Sequence, residues 1–189
     1  MIRSAWLLLA LLAPLPLAAQ APRPSPAEAR RAELDRLFEA LQTAPDSQGG
    51  QLVEARIRAV WGQAASPATG LLLRRGVRNL QRNEAGEALE DFDAALVLDP
   101  GAADGWLLRA RALAALGDRA AAARDLREAL RLEPRHFGAL VQLSELQQEA
   151  GDLPGALRSF DAALALYPKL PGGEQRRREL FRAAEGDAL

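Results

Sequence analysis

Residues 86–100 read GEALEDFDAALVLDP, residues 120–134 read AAAARDLREALRLEP and residues 154–168 read PGALRSFDAALALYP. Laid over one another, they keep a proline at 100, 134 and 168, a constant step of 34 residues. The same step relates Ala88, Ala122 and Ala156, then Phe92, Leu126 and Phe160, then Ala95, Ala129 and Ala163. Upstream it relates the small residues Gly76, Ala110 and Ser144, and also Asn83, Gly117 and Gly151. The latter are residue types that tolerate the left-handed backbone with which helices end. Gly117-Asp118 and Gly151-Asp152 add an acidic N-cap for a following helix. Self-similarity at a fixed period of this size is the signature of a stacked repeat array. Each unit is a helix pair: the first helix over about 67–82, 102–116 and 136–150, the second over about 86–98, 119–132 and 153–166.

This pattern resembles the tetratricopeptide repeat family, in which helix-turn-helix units stack into a right-handed superhelix. The resemblance implies an all-α solenoid of three repeats, 67–100, 101–134 and 135–168, with Trp106 at the large apolar position early in its first helix. Leu72 and Leu140 are the counterparts of Trp106. It implies that the small trio lies where the two helices of a unit touch. It departs from the family at Leu113, whose counterparts are Asn79 and Gln147, and in having no tyrosine in the second helix's opening turn. The resemblance also implies a concave groove lined by the first helices and suited to peptides. At its inward positions stand Leu73, Val77, Leu80, Leu107, Arg111, Gln142, Glu145 and Glu149. The apolar end, Leu73-Val77-Leu80, is either open or covered by the helix bearing Ile57 and Trp61, while Arg111 with Glu145 and Glu149 forms the polar end. Repeats that clamp a chaperone's terminal carboxylate carry Lys, Asn, Asn, Lys and Arg where this chain has Leu73, Val77, Leu108, Gly138 and Gln142, so the resemblance does not extend to that ligand.

Outside the repeats, Met1 to Ala19 reads MIRSAWLLLALLAPLPLAA: Arg3, an apolar stretch and then small residues. That is the pattern of a secretory signal peptide, with cleavage expected after Ala19 or, as the other reading, after Ala21. Pro14 and Pro16 interrupt the apolar run, which argues against an uncleaved anchor, and no stable membrane insertion is expected once the signal is cleaved. The expected location is the periplasm. Gln20 to Pro26 reads as a disordered proline-rich spacer, and Ser25-Pro26 as a helix start. Leu34, Leu37, Phe38 and Leu41 recur on one helical face, and Val53, Ile57, Val60, Trp61 and Ala64 on a second. Pro45 to Gly50 supplies the turn residues between them. Residues 27–66 are thus expected to cap one end of the array. Residues 169–189 supply the other cap, a helix over 172–184 with Leu180 and Phe181 inward and the arginines outward.

Composition excludes several chemistries. The chain of 189 residues has no cysteine, one histidine, and 24 basic against 25 acidic side chains. Disulfides, thiolate metal sites and a Cys nucleophile are absent, and a histidine-based metal site or triad lacks its members. Balanced charge removes the case for nucleic acid as a partner. His136 reads as a partly exposed ring beside Phe137, at a repeat junction. Arg176-Arg177-Arg178 is interleaved by Glu174, Glu179 and Glu185, a salt-bridged solvent face. Asp93 and Asp161 fall in different repeats and read as helix-surface charges. No catalytic residue, cofactor or metal is expected. The expected function is a non-enzymatic scaffold for a protein or peptide partner, mainly monomeric. EPRHFGAL (133–140) is similar to small exported repeat proteins of alphaproteobacteria, which implies a part in envelope integrity or assembly. The alternative is an accessory subunit of a periplasmic enzyme complex: a cell-wall hydrolase or synthase, or cytochrome maturation.

Overall fold

The computed structural model describes residues 24–62 and 66–186. The expectations for the signal peptide, for most of the spacer and for Ala64 lie outside these residues. Nine α-helices, and no strand, occur among the described residues. They are α1 (Pro26–Gln42), α2 (Ser47–Gly62), α3 (Pro67–Gln81), α4 (Ala85–Leu98), α5 (Ala103–Ala115), α6 (Arg119–Leu132), α7 (Phe137–Glu149), α8 (Leu153–Leu166) and α9 (Gly173–Glu185).

The helix pairs α3/α4, α5/α6 and α7/α8 each form a tight antiparallel hairpin. Their first helices end on Asn83, Gly117 and Gly151, with φ of 63°, 87° and 80°. After each, the next amide reaches back to the helix: Glu84 to the Asn79 carbonyl, Asp118 to Leu113 and Asp152 to Gln147, all at 2.9 Å. These bonds satisfy carbonyls that would otherwise be orphaned at the helix end. Asp118 and Asp152 then cap α6 and α8, each accepting an amide bond at 2.9 Å from Ala121 and Gly155. Within each hairpin the small positions permit close contact. A Cβ on Gly76 would collide with the Phe92 ring, and the Ser144 hydroxyl donates to the Ala156 carbonyl at 2.7 Å. Ala88, Ala122 and Ala156 are each fully buried.

Successive hairpins stack, α4 on α5, α6 on α7 and α8 on α9. The first helices also touch one another, α3 with α5 and α5 with α7, so they line the inner side of the curved array. Arg109 joins two units. It donates to both oxygens of the buried Asp125 at 2.7 and 2.9 Å, and to Asp93 on α4 at 2.8 Å. Helix α9 occupies the place of a further first helix: Arg177 pairs with Asp161 at 2.7 Å as Arg109 does with Asp93. Gly173 lies against Leu164 as Gly105 lies against Leu96, both pairs displaced by the same 68 positions. Leu180 is buried as expected, but Phe181 is 44% exposed rather than inward, because it lies off the face that α9 turns toward α8.

The leading helices depart most from expectation. Ser25 and Glu28 close a reciprocal capping box on α1, 2.7 and 3.2 Å, so the spacer's last two residues belong to the helix start. The break before α2 is shorter than Pro45–Gly50: Ser47 to Gly50 are helical, with Asp46 accepting from the Gly49 amide at 2.8 Å. The α1–α2 hairpin then does not cap the α3 end. Leu34, Phe38, Leu41, Ile57 and Val60 share one core with Phe137, Ala163 and Tyr167 of the third hairpin. Position 50 is a glycine for a packing reason, since a Cβ there would lie 2.6 Å from the Tyr167 ring.

Ala122→Leu is expected to overpack the α5/α6 seam and cost about 1–3 kcal/mol. A denaturant midpoint unchanged from wild type would contradict the packing described.

Candidate functional site: the inner face

The first helices expose a polar ladder on the array's inner side. Arg111 of α5 donates from Nε to the Gln142 Oε1 of α7 at 3.1 Å, and the Gln142 amide donates on to Glu145 Oε2 at 2.8 Å. Arg111 remains in contact with solvent while lying among protein groups. Desolvation, then the like charge of Arg58 on α2, pull its guanidinium below the ordinary arginine range. Of the three residues expected at the polar end, Arg111 and Glu145 are linked through Gln142. Glu149 turns away from Arg111 and pairs with Arg119 at 2.7 Å.

The apolar end is not an open strip. Leu73, Val77 and Leu80 are half-buried against Ala88, Phe92 and Ala112. Leu107 is a correction: it is 1% exposed, enclosed with Ala139 and Leu146 where α5 meets α7, and it presents nothing to a ligand. Nor does α2 cover the Leu73-Val77-Leu80 strip; its Ile57 and Val60 lie in the core shared with the third hairpin. Between the hairpin, the middle of α3 and the start of α5 runs a cleft of about 730 Å³, lined by Arg31, Leu34, Trp61, Leu73, Asp104 and Pro134 among others.

His136 is also corrected. It is fully buried, not partly exposed, and its ring lies 4.5 Å from that of Trp61. Its Nδ1 faces the Ala139 amide at 3.4 Å as the cap of α7, and its Nε2 meets Asp104 at 3.2 Å. Acceptance at Nδ1 places the ring proton on Nε2, toward the carboxylate. The histidine is a junction piece tying α2, α5 and α7. Trp61, Phe137, Phe38 and Tyr167 continue the aromatic cluster, with ring centres 5.5 to 6.5 Å apart. Asp93 and Asp161 are ion-pair partners of Arg109 and Arg177. In the arginine run, Arg176 bridges Glu179 at 3.7 Å and Arg177 reaches the third hairpin, a mixture of solvent-facing and structural roles.

The buried carboxylates escaped sequence reading. Asp91 and Asp125 are 2% and 5% exposed and accept from Arg75 and Arg109, each arginine sixteen residues earlier. Asn79 adds a 3.1 Å bond to Asp91. The signal was present as Arg and Asp at equal spacing in two consecutive copies, with Leu143 and Ser159 at the same places in the third. Among the described residues, no group of three or more His, Cys, Asp or Glu is placed to hold a metal. No helix there is long and apolar enough to cross a membrane.

These features define a helical-repeat solenoid with a polar inner face. The fold matches solved tetratricopeptide-repeat solenoids, and residues 103–136 match the Tetratricopeptide repeat family. The chain thus carries a tetratricopeptide repeat within a solenoid of that fold. It is 30% identical over 135 residues to a TPR repeat-containing protein of Rhizobium etli, covering 71% of this chain and 66% of that one. It is 38% identical over 96 residues to a Tetratricopeptide repeat and J domain-containing co-chaperone of Fusarium oxysporum, covering 51% of this chain and 17% of that one. The chain corresponds to part of each relative's length. Among solved structures, the first TPR of Spaghetti (RPAP3) bound to an HSP90 peptide superposes with a TM-score of 0.60 at 20% identity, covering 64% of this chain and 96% of that one. The Yersinia enterocolitica type III secretion chaperone SycD, in complex with a peptide of the translocator YopD, gives 0.55 at 17%, covering 65% and 93%.

Two measurements check the site's architecture. Arg109→Ala leaves Asp125 buried without its charge partner and is expected to cost about 3–5 kcal/mol, whereas Asp93→Ala removes a half-exposed partner and costs about 0–1 kcal/mol. Equal denaturant midpoints for the two variants would contradict the clamp. Tyr167, the chain's single tyrosine, is buried, and its hydroxyl lacks a hydrogen-bond partner. Burial and then the nearby Glu54 carboxylate push its phenol up to about 12. The unfolded chain releases that proton near pH 10, so this contribution is complete below about 10 and is lost as pH climbs through 12. Denaturant titrations of wild type should lose midpoint across that window more steeply than those of Tyr167→Phe; parallel slopes would contradict the assignment.

Proposed function

We propose that the protein is a non-enzymatic scaffold that binds a protein or peptide partner along its inner face. The observation carrying this reading is the Arg111–Gln142–Glu145 ladder, an ordered and solvent-accessible set of donors and acceptors bridging two repeats. A ladder of this kind reads an extended or helical segment by alternate polar contacts, on helices too rigid to need ordering. Solved relatives of the fold hold peptides, which supports the class of partner. Leu73, Val77, Leu108, Gly138 and Gln142 stand where a carboxylate clamp needs cations and amides, so we assign the groove a ligand other than a free chain terminus. We further propose export to the periplasm by the leader at 1–19 and a part in cell-envelope integrity or assembly; the Rhizobium etli relative supports a bacterial setting.

Capture from periplasmic extract with crosslinking and mass spectrometry tests the partner. Wild type is expected to retain a partner that Arg111→Glu releases, with affinity reduced by about tenfold or more. Identical capture by both proteins would overturn the site. N-terminal sequencing of protein from the periplasmic fraction is expected to begin at Gln20; an intact Met1 would overturn export.

A further inference from the structure

In a stacked array the first helix of each unit is covered by the second helix of the unit before it. That holds for α5, α7 and α9, which pack on α4, α6 and α8. It fails for α3. Among the described residues α3 packs on α4 and α5, while the hairpin that precedes it in sequence lies on α7/α8. In α5 the covered side carries Gly105, Arg109 and Ala112; the same places in α9 hold Gly173, Arg177 and Leu180. The corresponding residues of α3 are Leu71, Arg75 and Arg78, and all three are exposed.

The bare side of α3 does not have the make-up of a solvated cap. Helix α9, at the other end, carries Glu174, Glu179 and Glu185 among its arginines. Helix α3 has Arg74, Arg75 and Arg78 with no acid, and Leu71 stands among them at 58% exposure. Helix α4 is the converse, with Glu87, Glu90, Asp91 and Asp93 and no basic residue. Among the described residues, Arg74, Arg78, Glu87 and Glu90 form no ion pair. The two faces match in spacing as well as in sign. Leu71, Arg75 and Arg78 follow one another at steps of four and three along one side of α3. Ala94, Glu90 and Glu87 follow at the same steps along the exposed side of α4, in the opposite direction. An antiparallel meeting of these faces puts Leu71 over Ala94, Arg75 beside Glu90 and Arg78 beside Glu87. A leucine over a small residue repeats the fit of Leu96 on Gly105 and of Leu164 on Gly173. Arg75, bonded to Asp91 of its own unit, has the place from which Arg109 reaches both Asp125 and the neighbouring unit's Asp93. Within one chain the two faces cannot meet, because α3 and α4 already pack through Gly76, Ala88 and Phe92.

We propose that the α3 face is covered by α4 of a second copy of this chain, and that two copies pair through their first hairpins as an antiparallel four-helix seam. The contact is self-complementary about a two-fold axis, so each arginine–glutamate pairing is made twice. The Arg111–Gln142–Glu145 ladder lies on α5 and α7, outside the contact, so pairing doubles the inner face and does not depend on what binds there.

Sedimentation velocity of the full chain tests the pairing. Wild type is expected to pass from monomer to dimer over about 1–100 μM. Arg78→Glu and Glu87→Arg each place like charges together twice and are expected to weaken association about tenfold or more. An equimolar mixture of the two variants restores opposite charges at both places and is expected to recover the dimer, as is the chain carrying both substitutions. A wild type that stays monomeric at about 100 μM, a dimer indifferent to either swap, or a mixture that stays monomeric would each overturn the proposal. If a swap loses its helical signal, a disulfide decides, since the chain has no cysteine of its own. Chains carrying Leu71→Cys and Ala94→Cys are expected to crosslink to each other in preference to themselves under mild oxidation; no such preference overturns the register.

Discussion

The close approach of the two helices within each repeat is the constraint on which the molecule depends. An isolated helix of thirteen to fifteen residues is marginal in water and gains its stability from the face it buries. Here the buried faces meet across Gly76, Ala110 and Ser144 on one side and Ala88, Ala122 and Ala156 on the other. Small residues let the axes approach until Phe92, Leu126 and Phe160 fill the space beside them, all nearly or wholly buried. The left-handed residues at 83, 117 and 151 make that approach possible by reversing the chain within a few residues. Remove the tight seam and the stripes on both helices face water together.

Stacking follows from this seam rather than competing with it. A hairpin so formed has a second apolar side that it cannot cover, and the next hairpin covers it. The Arg109 clamp adds direction, because its fork reaches a buried carboxylate in its own unit and an exposed one in the unit before. Helix α9 repeats the first-helix contacts, Arg177 to Asp161 and Gly173 to Leu164. Curvature comes from the same geometry, as the first helices of adjacent units touch and thereby line the inner face.

That inner face is where structure and proposed activity meet. Its open part is polar and cross-linked by hydrogen bonds between α5 and α7, which holds the side chains in place before any ligand arrives. Beside it, α1 and α2 pack on the aromatic cluster of the third hairpin. A cleft of about 730 Å³ separates α1 and α2 from the first hairpin.

The local pattern by itself determined the helices, their ends and the residues at their seams. Period and residue size are local quantities, and a 34-residue repetition states them three times over. Arg111, Gln142 and Glu145, which the family resemblance placed along the groove, are joined by hydrogen bonds between α5 and α7 and within α7. The local pattern did not reveal that Leu107 is enclosed, since that depends on how near α7 comes to α5. Nor did it reveal that Phe181 is exposed, since which neighbour of Leu180 is covered depends on how α9 sits on α8. The buried Asp91 and Asp125 resembled surface charges until their arginines were placed beside them. Above all, only the tertiary structure decided where α1 and α2 lie. Their stripes specify that they must be covered but not by what, and the aromatic seat at Phe137 and Tyr167, far along the chain, covers them.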